Sequence, residues 1–113
     1  MGENRRLPAC LSPGERGVLA RFRDGLAARL GTRLAEVILF GSRARGEGRG
    51  DSDLDVLILV HGLGRAERRA LIDIAADLST ETGLVLSPTI VDVSGFDRSS
   101  AFARNVTRDG AWL

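Results

Sequence analysis

Residues 40–60, FGSRARGEGRGDSDLDVLILV, lie between two apolar segments and contain most of the sequence's chemical signals. The segment before them, AEVILFG (35–41), and the segment at their end, LDVLILV (54–60), are nearly continuous in apolar residues, as strands covered on both faces are. The ten residues between Ser42 and Asp53 are rich in glycine and charge, which is typical of a surface loop. The stretch therefore predicts two buried strands joined by an exposed loop.

Two amphipathic helices flank these strands. In SPGERGVLARFRDGLAARLG (12–31), Ser12 and Glu15 form a capping-box pattern, apolar residues recur at steps of three and four, and Gly31 is placed to end the helix. The segment GRAERRALIDIAADLSTETG (64–83) repeats this helical pattern and ends at Gly83.

The remaining segments add a strand and a short helix. LVLSPTIVDV (84–93) reads as a third strand with an edge or a bulge at Pro88, because proline cannot donate to a strand ladder. A short helix over 99–108, capped by Asp97 or Ser99, follows it. The order α, β, β, α, β, α predicts a small α/β (α+β) fold with a mixed sheet of three or more strands covered by helices.

The length and composition predict one small cytoplasmic domain. The 113 residues divide into a flexible lead-in, 1–11, and a single domain, 12–113, so a second functional part must come from a partner. Cys10 is the one cysteine and cannot form an internal disulfide. No apolar run approaches the roughly 20 residues of a membrane span, and the N-terminal residues lack the apolar core of a signal peptide.

Charge does not indicate binding to nucleic acid through the whole surface. The net charge is +1, although residues 1–50 carry ten Arg against five acids and residues 51–113 carry six Arg against ten acids. Every Lys or Arg position is Arg, which favours bidentate contacts to carboxylate or phosphate, although a coding bias toward Arg explains the same fact.

The Gly41-Ser42 pair after the first strand has two interpretations. Glycine lets the backbone approach a ligand closely, and a short helix begun by the following residues would direct free N–H groups at phosphate oxygens, with Ser42 adding a hydroxyl donor. Arg43 and Arg45 could then reach a triphosphate. The alternative is an ordinary strand-to-helix turn with solvated arginines.

Asp53 and Asp55 stand two positions apart in an extended segment, so their side chains point to one face with Cα atoms about 6.5 Å apart. Two such carboxylates repel unless a cation lies between them or one is protonated. Mg²⁺ suits the pair, because it takes one or two protein carboxylates and completes its shell with water and substrate phosphates. The alternative is that both acids face water; Asp51, in step with them, is a loop acid that could help a metal reach the pair.

The stretch FGSRARGEGRGDSDLDVLIL resembles the DNA polymerase beta-type nucleotidyltransferases, and their smallest bacterial members, the minimal nucleotidyltransferases, in particular. Gly41 and Ser42 match the family's Gly-Ser, and Asp53 and Asp55 match its metal-binding aspartates. The resemblance implies the polymerase beta-type fold and the transfer of a nucleoside monophosphate from a triphosphate, ATP for example, to a hydroxyl group with Mg²⁺. It also implies a HEPN-domain partner in a toxin–antitoxin pair, in which some antitoxins add AMP to a tyrosine.

The resemblance further implies a third catalytic carboxylate on the strand after the second helix. The only acid there is Asp92, whereas the family's position falls nearer Ser87 or Thr89, on the opposite face of the strand. A bulge at Pro88 would reverse the alternation and bring Asp92 to the site. The expected site is therefore Asp53, Asp55 and Asp92 for catalysis, with Gly41, Ser42 and Arg43 for the nucleotide.

Two rival functions remain open from the sequence. One is an interaction module that neutralises a partner by contact alone, and the other is a regulatory nucleotide-binding subunit without transfer chemistry. His61 is expected to be a turn residue, and Phe102 and Trp112 are expected to be core or interface anchors rather than base-stacking groups.

Overall fold

The computed structural model describes residues 7–48 and 52–113, so Asp51 lies outside the described residues. Two short 3₁₀ turns, Gly31–Arg33 and Val93–Gly95, connect the regular elements. The helices and strands are α1 (Pro13–Leu30), β1 (Leu34–Phe40), β2 (Leu54–Val60), α2 (Arg65–Thr82), β3 (Leu86–Asp92), α3 (Ala101–Asp109) and β4 (Ala111–Trp112).

The strands form one mixed sheet in the order β3-β2-β1-β4. β1 pairs antiparallel with β2 and with β4, and β2 pairs parallel with β3. A parallel pair needs a long crossover, which α2 supplies between β2 and β3. The predicted fold class, a small mixed sheet covered by helices, is confirmed.

Helix α1 begins and ends where its sequence predicts. Ser12 Oγ accepts from the Glu15 N–H at 3.0 Å, and Glu15 Oε1 accepts from the Ser12 N–H at 2.8 Å, which completes the capping box. At the other end, the Gly31 N–H donates to the Ala27 carbonyl. Both helix termini are thus specified by local residues.

The sheet is covered on both faces, as the apolar runs predict. Helices α1 and α2 pack on one face against Val56, Ile58 and Val60 of β2, and α3 covers the other face against Leu57 and Leu59. Because side chains alternate along a strand, Asp55 shares the α3 face with Leu57 and Leu59. In the part of the chain that the structure describes, no helix has the length and apolar character needed to cross a bilayer.

The structure shows that Pro88 lies in an edge strand and not in a bulge. β3 lies at an edge of the sheet and pairs without a register shift, from Leu54 opposite Leu86 to Val60 opposite Asp92. An edge strand tolerates a missing N–H donor, so no bulge is required.

The N-cap of α3 differs from the prediction. Helix α3 is capped by Ser100, whose Oγ accepts from the Ala103 N–H at 3.1 Å, rather than by Asp97 or Ser99. The Asp97 carboxylate instead accepts from the N–H and the hydroxyl of Ser99 at 2.9 and 2.6 Å, within the preceding turn.

Candidate functional site

The structure brings the Gly-Ser turn directly against one of the two aspartates. Phe40, the last residue of β1, is paired with Asp55 of β2, so Gly41 follows β1 at the point where β2 begins. Gly41 has a φ of 81°, and a Cβ atom placed on it would lie 2.5 Å from Asp55 Oδ2. Only a glycine leaves room for this carboxylate beside the backbone.

The pair Asp53 and Asp55 combines one exposed and one partly buried carboxylate. Burial raises the pKa of Asp55, and repulsion from the Asp53 charge raises it further. The two carboxylates are therefore near enough to repel each other, and a cation between them would relieve the repulsion. This donor set suits a hard divalent cation.

The described residues contain no cluster of three or more Asp, Glu, His or Cys side chains arranged to hold a metal. An ion held at the Asp53–Asp55 pair could complete its coordination with water and substrate oxygens. Mg²⁺ is commonly bound in this way at phosphate-transfer sites.

The loop after Gly41 is a series of tight turns rather than the expected short helix. The Arg45 N–H donates to the carbonyls of Gly41 and Ser42 at 3.3 and 3.2 Å, and the Glu47 N–H donates to the Ser42 carbonyl at 2.8 Å. Gly46 and Gly48 have φ values of 76° and 79°, which a right-handed helix does not accommodate. Ser42 thus lies in a compact turn, not at the N-terminus of a helix.

Arg43 does not face a phosphate site as expected, because its guanidinium is buried in the protein. The residue is 4% exposed, its Nε and Nη2 donate to Glu15 at 3.1 and 2.8 Å, and its Nη1 donates to the carbonyls of Glu47 and Gly48. The Arg43 guanidinium therefore binds groups within the protein and is not directed at a phosphate site. Its contacts instead attach the loop to the first turn of α1.

The Glu15 carboxylate is held in its charged form by this contact. Burial raises its pKa, but hydrogen bonds and attraction from Arg43, with those from Ser12, outweigh burial and lower the pKa overall. Because Glu15 also belongs to the capping box, one carboxylate serves both the helix end and the loop.

Asp92 is not brought to the other acids. It pairs with Val60, whereas Asp55 pairs with Ser87, so Asp92 lies five steps along β3 from the site, about 16 Å at the rise of a strand. Its carboxylate accepts from the Leu63 N–H at 2.7 Å and from Ser94, and these hydrogen bonds lower its pKa to about 2.

Asp92, the expected third carboxylate, therefore lies too far from Asp55 to act with it. Asp92 fixes the turn that follows β2, at the opposite end of the sheet from Asp55. The β3 positions beside the aspartates on the α3 face are Ser87 and Thr89, opposite Asp55 and Leu57. Within the described residues, β3 supplies no acid to the pair.

A cavity of about 240 Å³ adjoins the Gly-Ser turn on the α3 face. Its lining includes Gly41 and Phe40 from the end of β1 and Phe102 and Asn105 from α3. The Phe40 and Phe102 rings meet edge to face with centroids 5.3 Å apart. The sequence predicts Phe102 to be an anchor, although the three-residue step from Phe102 to Asn105 places both on one side of a helix.

A larger cavity of about 390 Å³ lies elsewhere, at the β1 and β4 edge. Its lining includes Glu36 and Trp112, which are joined by a 2.8 Å hydrogen bond, but neither the Gly-Ser turn nor the acid pair. We therefore locate the candidate site beside the smaller cavity, because Gly41 both lines that cavity and lies against the Asp55 carboxylate. His61 lies at the far end of β2, exposed, with its N–H donated to the Arg33 carbonyl, as expected of a turn residue.

Comparison with known proteins shows the family to which the chain belongs. The family model described as Nucleotidyltransferase domain matches residues 19–106. A relative from Methanocaldococcus jannaschii, named "Putative protein adenylyltransferase", is 30% identical over 101 residues, which are 88% of this chain and 97% of the relative. The chain belongs to the nucleotidyltransferase domain family, and the prediction of an enzyme of the nucleotidyltransferase type is confirmed.

Solved structures share the fold. One described as a "putative minimal nucleotidyltransferase" is 31% identical, with a TM-score of 0.57 over 87% of this chain and 94% of that one. A toxin–antitoxin crystallised with AMP-PNP is 20% identical, with a TM-score of 0.56 over 81% and 69% of the two chains. A tri-AMPylated Shewanella oneidensis HEPN toxin in complex with MNT antitoxin is 17% identical, with a TM-score of 0.50 over 84% of this chain and 70% of that one. The last two similarities support the fold alone.

Proposed function

We propose that this protein transfers an adenylate group from ATP to a hydroxyl group on a partner protein. The observation that carries the proposal is the contact between the Gly41 backbone and the Asp55 carboxylate, because it brings the turn that we assign to phosphate beside the acid that we assign to the metal. The relative's name supports adenylate as the group and protein as the acceptor.

In the reaction we propose, the acceptor oxygen attacks the α-phosphorus of ATP, and the bond between the α-phosphorus and its bridging oxygen breaks. The acceptor proton passes to solvent, and pyrophosphate leaves. Asp53 and Asp55 would hold Mg²⁺, which when bound stabilises the charge on the attacking and leaving oxygens. The turn at Gly41 and Ser42 orients the triphosphate with backbone N–H groups and the serine hydroxyl.

The acceptor we propose is a tyrosine hydroxyl on a HEPN-domain partner. Support comes from the resemblance of the FGSRARGEGRGDSDLDVLIL stretch to the small antitoxins of this family and from the fold shared with an antitoxin that is bound to a HEPN toxin.

The experiment incubates the protein with Mg²⁺, a candidate HEPN partner and ATP labelled on either the α- or the γ-phosphate. We expect label on the partner only from α-labelled ATP, and loss of that label with Asp53→Asn or Asp55→Asn. Asp77→Asn is the control, because Asp77 is an exposed acid on α2. Label from γ-labelled ATP, or full transfer by both site variants, would contradict adenylate transfer.

A second candidate function is neutralisation of the partner by contact alone. The observation that favours it is the β3 register, which sets Ser87 and Thr89 beside the aspartates where the third carboxylate of the family is expected. A partner still neutralised by the Asp53→Ala, Asp55→Ala double variant would support contact alone. Loss of neutralisation, with the double variant still bound to the partner, would favour transfer.

A further inference from the structure

The cavity on the α3 face lies beside the reactive end of the proposed site. We call it the α3 cavity and use five of its lining residues: Gly41, Arg45, Phe102, Asn105 and Arg108. Gly41 belongs both to this lining and to the contact with Asp55. A ligand with its phosphates at the Gly-Ser turn can therefore extend into the α3 cavity without crossing the sheet.

The two arginines of the α3 cavity already have carboxylate partners. Arg45 Nε lies 3.3 Å from Glu47 Oε1, and Arg108 Nε lies 3.2 Å from Asp109 Oδ1. Both pairs are exposed to solvent, so each arginine's charge is only partly offset by its neighbouring carboxylate. The uncharged part of the lining consists of Phe40, Gly41, Phe102, Asn105 and Val106.

Phe102 and Asn105 could bind an uncharged heterocycle by ring stacking and by hydrogen bonding. Phe102 is 40% exposed although its ring is fixed edge-on against Phe40, so part of the aromatic surface remains open. The side-chain amide of Asn105 is exposed and makes no hydrogen bond to any residue that the structure describes. An aromatic ring can stack on a base, and an amide can both donate to and accept from a base edge.

The volume favours one part of a nucleotide over the whole. At about 240 Å³, the α3 cavity is smaller than the roughly 300–1,000 Å³ of sites that enclose a complete drug-sized ligand. A cavity of this size is sufficient for the nucleoside alone if the triphosphate binds at the Gly-Ser turn and the aspartates.

We propose that the α3 cavity binds the nucleoside part of the triphosphate substrate, with Phe102 stacking on the base and Asn105 hydrogen-bonding its edge. The proposal rests on the proposed function, since it places the two halves of one nucleotide in adjoining spaces. The rival occupant of the cavity is the acceptor side chain, and the test separates the two.

The test is calorimetry with Mg²⁺ and either ATP or inorganic triphosphate, which has the phosphate chain but no nucleoside. Phe102→Ala and Asn105→Ala should each weaken ATP binding, about fivefold or more for the stacking residue, and leave inorganic triphosphate binding within twofold. Ile72→Ala is the matched control, because Ile72 is also 40% exposed but lies on α2. Phe102→Leu retains apolar bulk beside Phe40 and should still weaken ATP binding.

The outcomes distinguish the two proposals. Unchanged ATP binding by Phe102→Ala, Phe102→Leu and Asn105→Ala overturns the nucleoside assignment while leaving nucleotide transfer intact, and a raised KM for the acceptor alone would assign the cavity to the acceptor. Wild-type protein that binds neither ATP nor inorganic triphosphate overturns both. Equal weakening of ATP and inorganic triphosphate also overturns the assignment, because it indicates damage to the phosphate site.

Discussion

Asp55 is held where its charge destabilises the metal-free protein. Burial and Asp53 raise its pKa above the unfolded value, so the penalty is present at neutral pH and disappears as pH falls through the raised pKa. Asp55→Asn should therefore increase the free energy of unfolding at pH 7 without divalent cations, by less than about 1 kcal/mol because the group is partly exposed. Urea denaturation at pH 7 and at pH 4 measures the gain and its loss in acid.

Asp77→Asn provides the comparison for this substitution, since Asp77 is an exposed acid on α2, away from the pair. It should leave the free energy of unfolding unchanged at both pH values. A lower stability for Asp55→Asn at pH 7 would show that the Asp55 carboxylate is satisfied within the protein, contrary to a role in holding a cation.

Gly41 is expected to tolerate no side chain. Gly41→Ala combines an unfavourable positive φ, about 1–2 kcal/mol, with a Cβ atom 2.5 Å from Asp55 Oδ2. Gly62→Ala is the matched control, because Gly62 has a φ of 70° and no atom within 4 Å of the added Cβ. We expect both to lower stability and only Gly41→Ala to abolish binding of Mg²⁺ and ATP by calorimetry; equal binding losses would contradict this.

Some residue positions at this site could be predicted from the sequence and others could not. The closeness of Gly41 to Asp55 could, because β1 and β2 are consecutive strands that pair with each other. The contact between Arg43 and Glu15 could not be predicted. The capping box already explains why Glu15 is present, and no sequence pattern indicates that it also binds Arg43. When the partner is unknown, the sequence does not distinguish a buried arginine from a solvent-exposed one.

Between elements, the Arg43–Glu15 ion pair connects the loop after β1 to the start of α1. Both side chains are almost wholly buried, at 5% and 1% exposure. Glu15→Gln would leave the Arg43 charge buried without its counter-charge, which typically costs about 3–5 kcal/mol. We expect a loss of that order in chemical denaturation.

Glu81→Gln is the control for that substitution. The Arg21–Glu81 pair has a similar distance, 2.7 Å, but its side chains are 52% and 59% exposed. Exposed pairs contribute about 0–1 kcal/mol, so this variant should be nearly neutral. A Glu15→Gln variant as stable as Glu81→Gln would mean that the buried contact does not hold the loop.

Element ends were predictable where local caps set them. The capping box and Gly31 bound α1, and Gly83, with a φ of 77°, ends α2. The β3 register was not predictable, because Pro88 is compatible with an edge or a bulge, and only pairing with β2 decides which. Because β3 has no bulge at Pro88, Asp92 remains at the end of the strand opposite Val60, away from Asp55.

At the scale of the molecule, the candidate site is assembled from segments distant in sequence. β1 and β2 contribute the turn and the aspartates, α1 anchors the loop through Glu15, and α3 supplies Phe102 and Asn105. The part built from β1 and β2 is readable from the sequence because its two strands are neighbours in the chain. The α3 part depends on packing of the last helix against the sheet, which has no local signal.

Because these segments converge, nucleotide binding should stabilise the whole fold. A ligand that binds only the folded state at a hundred times its Kd adds about 2.7 kcal/mol to the free energy of unfolding, or on the order of 10 °C in Tm for a domain of this size. We expect that rise with Mg²⁺ and ATP together in a thermal melt, and much less with ATP and a chelator. The Asp53→Ala, Asp55→Ala double variant should show no rise. An equal rise in that variant would mean that the nucleotide binds without the aspartates.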